Sequence, residues 1–286
     1  LAGDNQLVVT GGMENMTMAP HLLASGRAGI KFGEGKILDS MQYDGLRDAY
    51  SDQAMGVCAE LCVDKYGISR EELDDYAEMS FRRAQTAQAE GIFRTEIEPV
   101  KVPGKKGQTS LISEDEGPLK VNFDKLRSLR PAFLKTGKIT AANASSINDG
   151  AASIVIGGDS YKTQARFKVL SYASHAQAPE WFTTAPVEAT KKCLAKAQLD
   201  IEEIDLFEIN EAFAVVALAA IKELKLDIEK VNIYGSAISL GHPIGVSGSR
   251  IVMSLMNGLE RKQKKFGLAS ICIGGGEALS IIIERL

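Results

Sequence analysis

Three times in the last third of the chain, a short apolar run ends on a reactive polar side chain set among glycines or small residues. Asp205–Ile209 runs into Asn210-Glu211-Ala212-Phe213, and Val231–Tyr234 leads on to Gly241-His242-Pro243. Leu268–Ile271 ends on Cys272-Ile273-Gly274-Gly275-Gly276. A strand that stops at such a turn puts its polar group at the carboxyl edge of a sheet, where open α/β sheets hold ligands. A chain with several such junctions is expected to fold as layers of helices and strands, an α/β architecture.

The remaining pattern agrees. Gln6–Thr10 reads as a strand. Ser69 begins a helix, with Glu72 placed to complete a capping box, and the helix stops near Gly91. Ala152–Ile156 and Phe167–Tyr172 are short and β-branched or apolar, as strands are. Pro186 suits the first turn of a helix through Val187, Cys193 and Leu194. Helices are further predicted over Ala212–Leu224 and Ile244–Arg261, strands over Asp205–Ile209, Val231–Tyr234, Leu268–Ile273 and Ala278–Glu284.

With 286 residues, 45% of them hydrophobic and 24% charged, the chain can bury two substantial cores. No apolar run approaches the ~20 residues of a membrane helix. A net charge of -4 gives no reason to expect nucleic acid as a partner. The four cysteines, Cys58, Cys62, Cys193 and Cys272, form no CxxC pair, and reduced thiols in an intracellular, cytoplasmic or mitochondrial setting are expected. Cys58 and Cys62 can share a helix face, but no histidine lies near them, so buried helix cysteines are expected rather than a metal site. Leu1 is followed directly by a strand, with no signal-like segment, which suggests a numbering that starts inside a longer protein.

One stretch departs from the acidic balance. Lys101 to Lys138 holds nine basic residues (Lys101, Lys105, Lys106, Lys120, Lys125, Arg127, Arg130, Lys135 and Lys138) against four acids, Glu114, Asp115, Glu116 and Asp124. A solvated face explains such a run, and so does a landing place for nucleotide phosphates.

Taken singly, Asn210 reads as a helix cap, His242 as a histidine exposed and positioned on a glycine turn, and Cys272 as a thiol at the lip of the sheet. Together they match the logic of acyl transfer: a thiol, an imidazole and donors for an oxyanion. Local reasoning reaches that class and no further.

Several segments, in order, resemble the thiolase family. They are Gly11-Gly12-Met13-Glu14-Asn15-Met16, Met55-Gly56 with Ala59-Glu60, and Leu129-Arg130-Pro131-Ala132-Phe133. Thr140-Ala141-Ala142-Asn143-Ala144-Ser145, Asn148-Asp149-Gly150-Ala151-Ala152 and the three junctions above complete the set. The resemblance implies the thiolase fold, two similar layered α/β halves with an inserted loop domain. On it, residues 1–16 and 147–165 belong to the N-terminal half, 17–146 form the insertion that meets coenzyme A, and 166–286 form the C-terminal half.

The resemblance also implies roles. Cys272 would be the acid/base toward the methyl carbon of acetyl-CoA, His242 the acceptor of a nucleophilic thiol's proton and a donor to the thioester oxygen, and Asn210 the holder of a water beside it. The Gly274 N–H would serve a second oxyanion hole, and Met55, Phe133, Ala144, Ser145, Ala212 and Phe213 would line the pantetheine and acyl channel. Acetyl-CoA and coenzyme A are expected as substrates, with no permanently bound cofactor or metal. The tyrosine through which some members bind potassium would fall near Pro118.

Departures from the family pattern shape the expected activity. Thiolases use two cysteines, and the nucleophile would lie upstream of residue 1, so the chain alone is expected to lack turnover. Ala54 stands where many acetyl-specific members have histidine, and Phe182-Thr183-Thr184-Ala185-Pro186 replaces MGxGP. The leading expectation is the reversible condensation of two acetyl-CoA to acetoacetyl-CoA and CoA, by a homo-oligomer, dimer or tetramer. The alternatives are a 3-ketoacyl-CoA thiolase of longer chain range and a non-catalytic CoA-binding or scaffold subunit.

Overall fold

A computed structural model describes residues 4–104 and 107–286, so Leu1 and two of the nine basic residues, Lys105 and Lys106, lie outside the described residues. The C-terminal part is built on a four-stranded sheet ordered β7-β10-β9-β8, from β7 (Phe167–Ala176), β10 (Glu277–Arg285), β9 (Phe266–Ile273) and β8 (Leu206–Ile209). β10 runs antiparallel to both neighbours, whereas β8 and β9 are parallel, with Ile209 opposite Ser270.

Alternation along these strands divides the core in two. Leu268, Cys272 and Ile282 join the larger cluster with Cys193 of α5 (Ala185–Ala197) and the apolar α6 (Ala214–Leu224). Ala269, Ile283 and Leu206 point the other way, onto Ile251, Leu255 and Leu259 of α8 (Ser247–Arg261). Glu208 shares the parity of Leu206, so a carboxylate faces α8 from inside the sheet.

Upstream, β1 (Leu7–Asn15) and β6 (Asp149–Gly157) form a two-stranded antiparallel ribbon. Gly12 and Gly150 bring this ribbon onto the loop before α8: a Cβ on Gly12 would lie 1.6 Å from the Gly245 carbonyl oxygen, and one on Gly150 3.0 Å from the Pro243 ring. Small pairs β2 (His21–Leu23) with β3 (Ile37–Asp39) and β4 (Val100–Pro103) with β5 (Thr109–Ile112) decorate the segment between. In the same segment, α1 (Met55–Tyr66) and α2 (Arg70–Ala89) pack on α6. Ser69 and Glu72 form the expected capping box, and α2 ends before Gly91. The basic stretch, read as nearly aperiodic, contains the one-turn helices α3 (Gly117–Lys120) and α4 (Phe123–Leu126). The last short helix, α7 (Ala237–Leu240), leads directly into His242.

Three sequence expectations need correction. Val231–Tyr234 is not a strand: only the single bridges Phe207–Val231 and Ile233–Gly235 form, because Asn232 sits at φ 49° and turns the chain. The last long helix begins at Ser247 rather than Ile244, since 243–246 is spent in the loop under the ribbon. Helix α6 begins at Ala214, after Phe213 at φ -143°, so Asn210 and Glu211 precede the helix and Asn210 is not its cap.

Candidate active site

Asn210 and Cys272 reach one place because their strands are neighbours in parallel register. The Asn210 N–H donates to the Ser270 carbonyl at 2.9 Å, which puts Cys272 at the adjoining carboxyl end, just before the glycine turn. Gly276 at φ 83° makes that turn, and a Cβ there would stand 2.3 Å from the Gln177 carbonyl oxygen. His242 arrives from the loop. Its neighbour Gly241 sits at φ 94° with Asn148 2.4 Å from where a Cβ would be, so no other residue fits there without strain. The Asn210 Nδ2 and His242 Nε2 then lie 3.2 Å apart.

The imidazole is held at both nitrogens. Nδ1 lies 2.6 Å from Ser247 Oγ, and that hydroxyl donates to the Pro243 carbonyl at 3.0 Å. A hydroxyl already donating to a carbonyl accepts from the ring, so Nδ1 carries the hydrogen and Nε2 presents a lone pair to the Asn210 amide. Burial, helped by the positive charge of Arg250, pushes the imidazole down to about 4, so it is neutral near pH 7. The exposed histidine expected from the glycine turn is therefore half-buried, with its ring enclosed. Cys272 likewise lies below the lip: it is 7% exposed, and burial pushes its thiol up to about 12. The remaining cysteines are buried elsewhere: Cys58 and Cys62 on α1, and Cys193 3.0 Å from Ser171 Oγ.

A single loop stitches the motifs together. Ala144 bridges Phe213, the Ser145 N–H donates to the Ala212 carbonyl at 3.0 Å, and the Ala214 N–H donates to Asn143 at 2.9 Å. The next carbonyl, Ser146, accepts from the His242 N–H at 3.2 Å. This loop is anchored by buried carboxylates: Glu60 accepts from the Lys138 and Ile139 N–H groups, and Asp74 accepts from Asn143 Nδ2 at 2.8 Å. Beside it, Phe133 lies over Gly56, where a Cβ would come 2.3 Å from the ring. Its ring meets Phe213 edge-on with centroids 5.9 Å apart, and Phe213 meets Phe182 at 6.3 Å. Met55 closes the row, with its Cε 3.8 Å from the Cβ position of Gly274. The candidate lining residues Met55, Phe133, Ala144, Ser145, Ala212 and Phe213 are thus gathered around the ends of β8 and β9.

Sequence reasoning missed the supports. Glu211 is fully buried and accepts four hydrogen bonds: from Tyr76 at 3.0 Å and Asn232 at 3.0 Å on Oε1, and from Ser80 at 2.8 Å and the Ile238 N–H at 3.1 Å on Oε2. Burial raises its carboxyl above the usual range despite those donors. A glutamate amid apolar residues was the available signal. For Ser247 the signal was weaker: a serine five residues past the histidine at a helix start.

Residues 1–160 match the family described as "Thiolase, N-terminal domain" and residues 162–285 "Thiolase, C-terminal domain". Acetyl-CoA acetyltransferase 2 of Arabidopsis thaliana is 48% identical over 290 residues, spanning 99% of this chain and 72% of that protein. The crystal structure of the Bacillus anthracis acetyl-CoA acetyltransferase superposes with a TM-score of 0.95 at 38% identity, covering 99% of this chain and 73% of the other. The Acat5 thiolase of Ascaris suum in complex with coenzyme A gives 0.92 at 44% identity, with the same two coverages of 99% and 73%. Both family regions, the identity and the shared fold agree, and the chain belongs to the thiolase family.

Proposed function

We propose that the protein takes part in the reversible condensation of two acetyl-CoA to acetoacetyl-CoA and CoA, with Cys272, His242, Asn210 and Gly274 at the reacting atoms. The observation that carries this reading is the Asn210 Nδ2 to His242 Nε2 contact of 3.2 Å, at the strand end that adjoins Cys272. A neutral imidazole with an unprotonated Nε2 accepts the proton of an attacking thiol, then returns it as a donor to a thioester oxygen. A thiol pushed to about 12 stays protonated until it gives its proton to a departing CoA thiolate. The thiolate left behind is a stronger base than an ordinary one, which suits removal of a proton from the acetyl methyl group. The glycine turn brings the Gly274 N–H next to that carbon's enolate oxygen in this reading.

The acetyl group itself needs a second thiol. Cys58, Cys62 and Cys193 are held elsewhere, so we assign that role to a cysteine outside these 286 residues. Pantetheine would pass between Ser145, Met55 and Phe133, with the nucleotide toward the basic stretch. A homo-oligomer belongs to the same proposal. The longer-chain alternative is less well supported, because Phe182 is 2% exposed and packs on Phe213 instead of opening the acyl end.

The test is acetoacetyl-CoA cleavage by free CoA, run on this chain alone and on the chain extended at its amino terminus with the matching Arabidopsis residues. Cleavage by the extended form, lost in His242→Asn and Cys272→Ser, is the expected result. Cleavage that survives both substitutions overturns the site. CoA binding without cleavage in either form supports the scaffold alternative.

A further inference from the structure

Below the site, and unused by the chemistry above, a guanidinium sits among acids inside the protein. Arg250 of α8 donates from Nη2 to Ser236 Oγ at 2.9 Å and from Nη1 toward Ser254 Oγ at 3.4 Å, while its Nε is buried without a partner. Glu208 faces α8 from β8; it is 2% exposed, and its Oε2 is also buried without a partner. Glu96, just past the turn Ile92–Thr95, accepts from Asn257 Nδ2 of α8 at 3.4 Å. Asp115 comes from the loop before α3, where Gln88 Nε2 donates to its carbonyl at 3.3 Å. Arg250 stabilises the ionised form of all these carboxyls against a larger cost of burial. Tyr234, Glu211, Glu90 and Arg261 are the further charged or titratable groups that act on the cluster among the described residues.

The cluster is one helical turn away from the histidine loop in structure as well as in sequence. Ser236 is the residue before α7, and its carbonyl accepts from the Ser239 and Leu240 N–H groups at 3.1 and 2.8 Å. The other end of α7 passes through Gly241 into His242. A clamp on Ser236 therefore sets where the imidazole stands, in concert with Glu211 on the Ile238 N–H. The same guanidinium is the charge that acts on the His242 ring.

We propose that Arg250 is a positioning residue for His242: through its hydrogen bond to Ser236 it fixes α7, the short helix that leads into the histidine loop. Glu208, Glu96 and Asp115 are the acidic neighbours of that guanidinium, and the latter two come from the segment that precedes the sheet. The placement of the histidine is thereby tied to how α8 packs. The proposal rests on the acyl-transfer reading only in taking His242 as the base.

The experiment reads the ring directly, so it stands apart from turnover. His21, His175 and His242 are the only histidines in the sequence, and each can be followed by NMR in histidine-labelled protein across pH. Arg250→Met is expected to raise the His242 midpoint from about 4, and Arg250→Lys, which keeps the charge, to bring it back toward that value. Glu208, pushed up to about 8, and Glu96, up to about 7, are protonated where His242 titrates, so Glu208→Gln should leave the midpoint in place. A midpoint unchanged in Arg250→Met, or raised equally by Glu208→Gln, overturns the proposal. Should Arg250→Met fail to fold, Ser236→Ala removes the acceptor with no change of charge. It should leave the midpoint in place and erase the single-tautomer pattern of the ring nitrogens; a pattern identical to the parent's overturns the clamp.

Discussion

Ser247 Oγ stands 2.6 Å from His242 Nδ1 and donates its own hydrogen to the Pro243 carbonyl, so one hydroxyl decides which imidazole nitrogen is protonated. Ser247→Ala removes that decision while deleting two buried hydrogen bonds, each worth about 1 kcal/mol of stability. The folded state should persist. The catalytic loss should be larger, about a hundredfold in kcat for acetoacetyl-CoA cleavage, the low end of what general acid–base catalysis contributes. Nitrogen NMR of the ring should show the Nε2–H form gaining population, and an unchanged spectrum would contradict the assignment.

Glu211 offers a contrast, because its four donors come from α2, the 232 turn and α7 at once. In Glu211→Gln, one acceptor becomes a donor and faces hydrogens from its neighbours. Leaving buried groups unsatisfied in this way costs about 1–3 kcal/mol. Chemical denaturation should show that loss, together with a displaced His242 signal. A variant as stable as the parent would mean that the network tolerates the amide.

Acidity gives a test with a definite sign. The His242 midpoint is about 4 in the fold against an ordinary value of 6.5. Between these values the unfolded chain binds a proton that the folded chain refuses, so this group's contribution makes stability rise with pH across that window. Glu96 and Glu208 act oppositely: their folded values of about 7 and about 8 exceed the ordinary 4.5, so their contribution falls as pH rises from 4.5 through those values. From pH 6.5 to 8 only the carboxyl trend remains of these three. Denaturation midpoints should decline over that interval, less steeply in Glu208→Gln. Between pH 4.5 and 6.5 the histidine offsets part of the carboxyl decline, so a His242→Asn variant should fall more steeply there than the parent. Equal slopes in parent and variants would contradict the burial of these groups.

These results show where the sequence was legible. The strands bearing Asn210 and Cys272 were readable because both faces of the sheet are buried, which makes short apolar runs ending at polar junctions. The capping box of Ser69 and Glu72 was readable because it is a local device, complete within four residues. Val231–Tyr234 misled because strand propensity cannot register Asn232, whose amide bonds both to Ile209 and to Glu211 and thereby takes the chain out of a ladder. The burial of His242 and Cys272 was illegible, since it arises from residues distant in sequence: Ser146 on the His242 N–H, and the cluster of α1, α5 and α6 around Cys272. The Glu208–Arg250 pair was hidden by separation of a different sort: each residue is unremarkable on its own element, and only the parity of β8 against α8 brings them together.

The aromatic row predicts a separation of binding from turnover. In Gly56→Ala, helix α1 gains an alanine in its first turn, but the new methyl group would meet the Phe133 ring at 2.3 Å. The helix-propensity gain, about 1 kcal/mol, offsets part of the strain, so the protein should remain folded. The displaced ring should raise KM for acyl-CoA several-fold and leave kcat within about twofold, the pattern expected of a contact equal in ground and transition states. A fall in kcat at constant KM would mean that Phe133 acts on the reacting atoms.

The basic stretch yields the final prediction, because its charges are not equally free. Lys120 pairs with Glu116 at 2.9 Å, Arg127 with Asp75 at 2.6 Å, and Lys138 donates to the Ile68 carbonyl at 2.8 Å. Among the described residues, Lys101, Lys125, Arg130 and Lys135 form no such pair, and they lie on an exposed surface or nearly so. If this face meets the nucleotide phosphates, charge reversal at Lys125 and Arg130 should weaken CoA binding more than reversal at Lys120, whose charge Glu116 already offsets. Exposed ionic contacts are screened over about 8 Å at physiological salt, so the reversed protein should also show a flatter dependence of affinity on ionic strength. Calorimetric titration with CoA at two salt concentrations measures both quantities. Equal affinity and equal salt slope in all three variants would assign the positive charge to a solvated face, and the nucleotide would have to be sought elsewhere on the protein.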